Sequence, residues 1–418
     1  MRDHGQALQQ RADSLRGRIE GLTGLRNLLN LSPEQDITPR QWAVLEPKLG
    51  AISVQLGDKV RQAAGELVPQ ASDAGSRRRL NDTLGRVEFD LARAYAFFDT
   101  YMDVLTQRHT TELGAVLAGC DVLAYEAMRR DHPALQSIEP PLVYCDRGFG
   151  ASIIRESVRF PDGSLNPMPL IQIPYSRLHE KCNLTSIMHE AGHQALQRLA
   201  LVAPIAATLR TALALVGAAP LVCDLFARWS FEIAPDFWAF CLCGPAEAQA
   251  VRSLFALPQR DTMRVSFSDP HPPPYLRALL AFDWCRRAWG RGPWDEWERE
   301  WRDLYPLRGV APASLDILSA ARRAVPAVGA ALFDTRFRQL GQRTLPQLFD
   351  LEALGPVVLG QVVRRAGKGV LDLRGITPCR QLAVFAELRG VARMDERRLD
   401  LLMSEWLRRL GTRRHTMH

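Results

Sequence analysis

Two histidines four residues apart, His189 and His193, enclose Glu190 in the stretch TSIMHEAGHQALQRL from Thr185 to Leu199. On an α-helix, residues i and i+4 lie on one face, about 6 Å apart along the axis, so two imidazoles there can reach one ion. The glutamate beside the first histidine can then address a water on that ion and accept its proton as the water attacks a carbonyl. Ile187, Met188, Ala191, Ala195 and Leu196 surround the pair with apolar side chains, a setting in which histidines need polar partners. Gly192 costs ~1 kcal/mol relative to alanine in a helix interior. Its missing side chain leaves room for a substrate or a neighbouring helix. The competing reading is a core or surface helix carrying two unrelated histidines. A second His-Glu pair, His179-Glu180 in RLHEKCN, meets Asn183 where the second histidine would stand, and reads as a loop or helix start.

A catalytic zinc site takes three protein ligands. Beyond His193 the acidic residues are Asp224 and then Glu232 and Asp236, in WSFEIAPDFWAF. Glu232 follows His193 by 39 residues (232 − 193), enough for a loop, a helical return and a second helix. Glu232 and Asp236 are again four apart. One helix face can therefore offer Glu232 to the metal while Asp236 accepts a hydrogen bond from a ligand imidazole and fixes its tautomer. An exposed helix charge at Glu232 and a turn residue after Pro235 at Asp236 are the alternatives.

Met188–His193 together with Glu232–Asp236 resembles the HExxH…ExxxD pattern of the gluzincin metallopeptidases. SDPHPPPYLR extends the resemblance to the CAAX-prenyl-protease and HtpX-like group, which has a histidine–proline segment and an arginine six residues on; here these are His271 and Arg277. The resemblance covers about residues 110–290. It implies a zincin-like core with Zn2+ held by His189, His193 and Glu232. It further implies Glu190 as general base, Asp236 as the group orienting a ligand, and His271 with Arg277 as oxyanion-stabilising or substrate-positioning groups. Both side-chain types can donate hydrogen bonds to a developing negative charge. A loop histidine among prolines and a helix-surface arginine are the plainer readings. In zincins an edge strand beside the active helix pairs with an extended substrate, and PLIQIP (169–174) is expected to be that strand. Two departures stand out. The long spanning segments of that membrane group are missing, which argues against a prenylated membrane substrate. Pro235 removes a helical hydrogen bond inside the ExxxD stretch, which is tolerable if the helix begins close to it.

The elements that must position these residues are legible as changes of period. Residues 1–109 read as helices, with Leu15, Ile19, Leu22, Leu25 and Leu29 at helical spacing. Thr110–Arg130 reads as a helix with small residues on one side for close packing, and is expected to back a small sheet. Strand candidates follow at Pro141–Asp146, Ala151–Phe160 and Pro169–Pro174, with a turn at PDGSLNP. A helical period returns from Asn183 and dominates to the C-terminus. The fold class expected is α+β, mainly helical: a zincin-like core at 110–290 between helical regions at 1–109 and 291–418.

The 418 residues are 47% hydrophobic, enough for a large core and more than one domain. The net charge of +7 comes mostly from arginines spread over helix-like faces, without aromatic-basic motifs, which argues against nucleic-acid binding. The eight cysteines show no CxxC pair, and the first twenty residues have no apolar signal core. Both features lead to the expectation of a cytoplasmic protein. The apolar segment Leu199–Phe226 is split by Arg210, Pro204 and Pro220 and is expected to form two short buried helices rather than a membrane span. The function expected is a zinc-dependent endopeptidase acting on a protein or peptide, with a regulatory protein partner able to dock on the helical flanks. A non-catalytic helical scaffold with a zincin-like partner-binding core is the alternative.

Overall fold

The computed structural model describes residues 2–33, 35–67, 73–160, 163–366, 373–391 and 394–412. The architecture is mainly helical with one small mixed sheet. Helices Arg2–Gly21, Pro39–Leu67 and Ala74–Thr106 pack on one another as an N-terminal bundle. Their shared core includes Leu15, Ile19, Leu22, Leu25 and Leu29, the residues whose spacing marked this region as helical.

The sheet has three strands: β1 (Leu142–Asp146), β2 (Ser152–Ile154) and β3 (Leu170–Pro174). Their order is β1-β3-β2, with β1 parallel and β2 antiparallel to β3. Successive strand residues face opposite sides, and here each side meets a different core. Leu142 and Leu170 join the N-terminal bundle. Val143, Cys145, Ile171 and Ile173 join a second, larger core that runs through both the middle of the chain and its C-terminal helices.

This order corrects one expectation. PLIQIP is the central strand, paired on both sides, and the edge strands are β1 and β2, of which β2 borders the cleft. The strand expected over Ala151–Phe160 shrinks to three residues for a local reason. The buried amide of Asn166 reaches the carbonyls of Ile154 and Arg155, both at 3.1 Å, and Ser157 adopts a left-handed φ of 68°. The chain therefore turns away after Ile154. Of the expected turn at 161–167, residues 161–162 lie outside the described residues. The basic tail from 413 does so as well.

Helix Thr111–Met128 packs on β1, on the histidine-bearing helix Thr185–Arg198, and on the C-terminal helix Glu396–Thr412. The expected small-residue face is what seats the last of these. A side chain at Gly119 would put its Cβ 2.2 Å from the carbonyl oxygen of Leu407, and one at Gly411 would lie 2.8 Å from that of Ala115. The segment Leu199–Phe226 is not two short buried helices. Val202–Leu215 is partly exposed, with Leu215 82% accessible, and the second helix runs on from Pro220 to Cys243. No single helix among the described residues is long and apolar enough to cross a membrane. A two-stranded ribbon, Arg336–Phe337 with Arg343–Thr344, interrupts the otherwise helical C-terminal region. All eight cysteines are free, and all but Cys182 are buried.

Because backbone blocks the space at Gly119, Gly119→Ala must push the C-terminal helix outward. The expected cost is about 1–3 kcal/mol, read as a lowered midpoint in urea unfolding. An unchanged midpoint would contradict the close seating.

Candidate metal centre

Three helices, a loop and one strand build the site. Thr185–Arg198 supplies His189, Glu190 and His193, all buried. Pro220–Cys243 crosses it and supplies Glu232 and Asp236, also buried. The crossing is close because Gly192 has no side chain. A Cβ there would stand 3.0 Å from the Cα of Pro235 and 3.1 Å from the Cβ of Trp238. Of the two uses open to Gly192, the structure shows the neighbouring helix. Pro235 sits in the helix interior, far from the start at Pro220, so its lost hydrogen bond is borne in mid-helix rather than at a helix start. The missing N–H removes the one helical hydrogen bond that would reach the carbonyl of Phe231, and the Cα of Pro235 is what packs against Gly192.

The three ligand candidates converge. His189 Nε2 lies 3.2 Å from Glu232 Oε2 and 3.2 Å from His193 Nε2, and His193 Nε2 lies 3.7 Å from Glu232 Oε2. Ligands about 2.0–2.1 Å from a tetrahedral ion stand about 3.3 Å from each other. The triangle therefore has the size that one ion requires. Two imidazoles and a carboxylate are donors suited to zinc and its transition-metal neighbours. His189, His193 and Glu232 thus form a buried group able to hold a metal ion.

The groups behind the triangle fix its orientation. His189 Nδ1 lies 2.6 Å from Asp236 Oδ1. Donating its Nδ1–H there leaves the Nε2 lone pair facing the ligand triangle. Asp236 in turn receives two hydrogen bonds from Arg277, from Nε at 2.7 Å and Nη2 at 2.6 Å, and the guanidinium lies over Phe255. Arg277, on helix Pro274–Trp289, thus reaches the site through Asp236. His271 stands at the mouth, half exposed, with Nδ1 2.7 Å from Asp269 Oδ1 and Nε2 3.4 Å from Glu232 Oε2. The Phe231 ring lies 4.8 Å from that of His193 and carries the Arg155 guanidinium above it.

The charges are mutually tuned. Burial works against a charged His189, but the charge and hydrogen bond of Asp236, then Glu232, raise its pKa to about 10. Burial works against a charged Glu232 too, and its bonds to His189 and His193 hold it well below the usual carboxylate range. Glu190 behaves in the opposite way. Burial, opposed by His189, pushes it up to about 7, which suits a group that must both take and give a proton near neutral pH. His193 is lowered, chiefly by burial. Glu247, reached by the Thr185 side chain, is raised by burial and then by the charge of Asp236.

All seven candidate residues line one cleft of about 500 Å³, with β2 residues Ser152 and Ile153 along its rim. Asp269, Arg155, Arg177 and Glu247 complete the surroundings and escaped the sequence reading. Asp269, two residues before His271 in SDPHPPP, had a readable signal, since aspartate readily bonds the backbone two residues on. It does so here, to the N–H of His271 at 2.9 Å. The other three carry no local pattern. Comparison with known protein families, curated proteins and solved structures found no match to this chain.

Removing one ligand should abolish stoichiometric metal binding, so His193→Ala is expected to carry no metal by elemental analysis after gel filtration. Asp236→Asn leaves the ligands but loosens the His189 tautomer. It should lower metal affinity about ten- to a hundredfold in a competition titration with a chelator. Metal content equal to wild type in His193→Ala would rule the triangle out as the binding site.

Proposed function

We propose that this protein is a zinc-dependent endopeptidase of the gluzincin type, with His189, His193 and Glu232 as ligands. The observation that carries this reading is Glu190. It sits one residue from a ligand histidine, buried, on the wall of a cleft that also holds the converged ligand triangle. A pure metal-storage or structural site has no use for such a group.

Zinc at this position supplies Lewis-acid polarisation of a carbonyl and makes a water acidic near neutral pH. The chain's own residues do the rest. A peptide lying along β2 is aligned by backbone hydrogen bonds, because β2 has a partner on one side only. Glu190 accepts the proton of the attacking water and delivers it to the departing amide nitrogen. His271, held by Asp269, donates to the oxyanion as negative charge develops on the carbonyl oxygen. Asp236 keeps the His189 ring in place, and Arg277 acts by holding Asp236 rather than by touching substrate. The chain fits a protein or peptide substrate in the cytoplasm.

The test is Glu190→Gln, which preserves shape and removes the base. The variant is expected to keep one zinc per chain and to lose peptide hydrolysis about 10²–10⁴-fold, measured as cleavage of a denatured protein mixture by mass spectrometry. Undiminished hydrolysis by the metal-replete variant would overturn the mechanism. A metal-loaded wild type that cleaves nothing would point instead to the non-catalytic scaffold.

A further inference from the structure

Three arginine or lysine side chains are buried among the described residues: Arg108, Arg177 and Lys181. Burying a charge is costly unless a counter-charge lies against it. Arg108 has Asp121, with two hydrogen bonds at 2.8 and 3.0 Å, and Lys181 has Asp400 at 2.5 Å. Arg177 has no such partner. Its only carboxylate within 4.0 Å among the described residues is Glu180, 3.9 Å away and itself largely exposed. One backbone carbonyl, that of Phe149, accepts from its Nη2 at 3.2 Å, and its Nε is buried without a partner.

The place of this under-compensated charge is informative. Arg177 follows β3 in a short helical turn, Tyr175–Leu178, and lines the same cleft as the metal triangle. Phe149, which it holds, leads into the edge strand β2. Thr185 and Ser186, in the first turn of the histidine helix, line the cleft as well, and the Thr185 side chain bonds the Glu247 carboxyl. The acidic residues of the cleft are Glu190, Glu232 and Asp236, at the candidate metal site, and Glu247, whose carboxyl is buried, so a further carboxylate near them would be repelled. Of the three arginines that line the cleft, Arg277 is paired with Asp236 and Arg155 lies over the Phe231 ring, whereas Arg177 is buried with its Nε unpartnered, so Arg177 is the one that an entering anion would compensate.

We infer that Arg177 is a specificity residue that binds a carboxylate of the substrate, so that the preferred peptide carries an acidic group at the Arg177 end of the cleft. Carboxylate is the shared chemistry; a chain terminus and an Asp or Glu side chain are its two sources. This inference rests on the peptidase reading for what the carboxylate belongs to, and its test reads binding rather than cleavage.

The experiment uses full-length, zinc-loaded Glu190→Gln protein and calorimetric titration with matched acetylated hexapeptides. One has a free C-terminal carboxylate, one is amidated and neutral, and one is amidated with an internal glutamate. At least one carboxylate peptide is expected to bind about tenfold or more tighter than the neutral one. The free-terminus and internal-glutamate arms show which source is recognised. Adding Arg177→Met should erase the preference while leaving affinity for the neutral peptide unchanged. Arg177→Lys, which keeps the charge and guards against a folding defect, should restore part of it. Equal affinity for all three peptides overturns the inference, as does a preference that survives in folded Arg177→Met, since zinc alone would then hold the carboxylate. Failure of the peptidase reading shows separately, as absence of hydrolysis by wild type.

Discussion

The contact of Gly192 with Pro235 and Trp238 is the constraint on which the rest of the site depends. Gly192 lies between the two histidines, and Pro235 lies between Glu232 and Asp236. Bringing the helix backbones together at that one point places His189 Nε2 3.2 Å from Glu232 Oε2 and His189 Nδ1 2.6 Å from Asp236 Oδ1. A side chain at Gly192 would separate the helices, and short side chains such as aspartate cannot make up the distance. Two features that disfavour helix, a glycine and a proline in helix interiors, are thus paired where two helices must approach closely.

The polar groups gathered at this crossing form an alternating series: Arg277, Asp236, His189, Glu232. Each is buried or nearly so, and each has an opposite partner within hydrogen-bonding distance or close to it. Such a series costs desolvation energy that apolar residues would not. The surrounding aromatic core, including Trp229, Phe237, Trp238 and Trp284, offsets that cost through burial and holds the helices rigid. The same apolar setting that stabilises the crossing keeps Glu190 from ionising readily, so packing and proton affinity share one cause.

The two sides of the small sheet explain how a three-stranded element organises so much of the chain. One face closes the N-terminal bundle, while the other closes the core beneath the metal centre. Of the sheet's two edges, that of β1 is met by the side chains of Asp121 and Gln107, while that of the shortest strand, β2, borders the cleft. Its shortness traces to Asn166, whose side chain binds carbonyls that a longer strand would have paired.

By itself the sequence determined what is local. The four-residue spacings His189–His193 and Glu232–Asp236 select helix faces, and hydrophobic periods fix the N-terminal helices and the positions of β1 and β3, because side-chain direction follows directly from helix and strand geometry. The small-residue face of Thr111–Met128 announced a close neighbour without naming it. The tertiary structure alone decided what depends on residues distant in the chain. It put PLIQIP at the centre of the sheet and β2 at the edge that borders the cleft. It committed Arg277 to Asp236 and left Arg177 buried in the cleft wall without a close carboxylate. None of these has a period or a motif. Each is set by which backbone groups and charges come to lie together once the two cores close, and that is a sum over contacts no stretch of sequence contains.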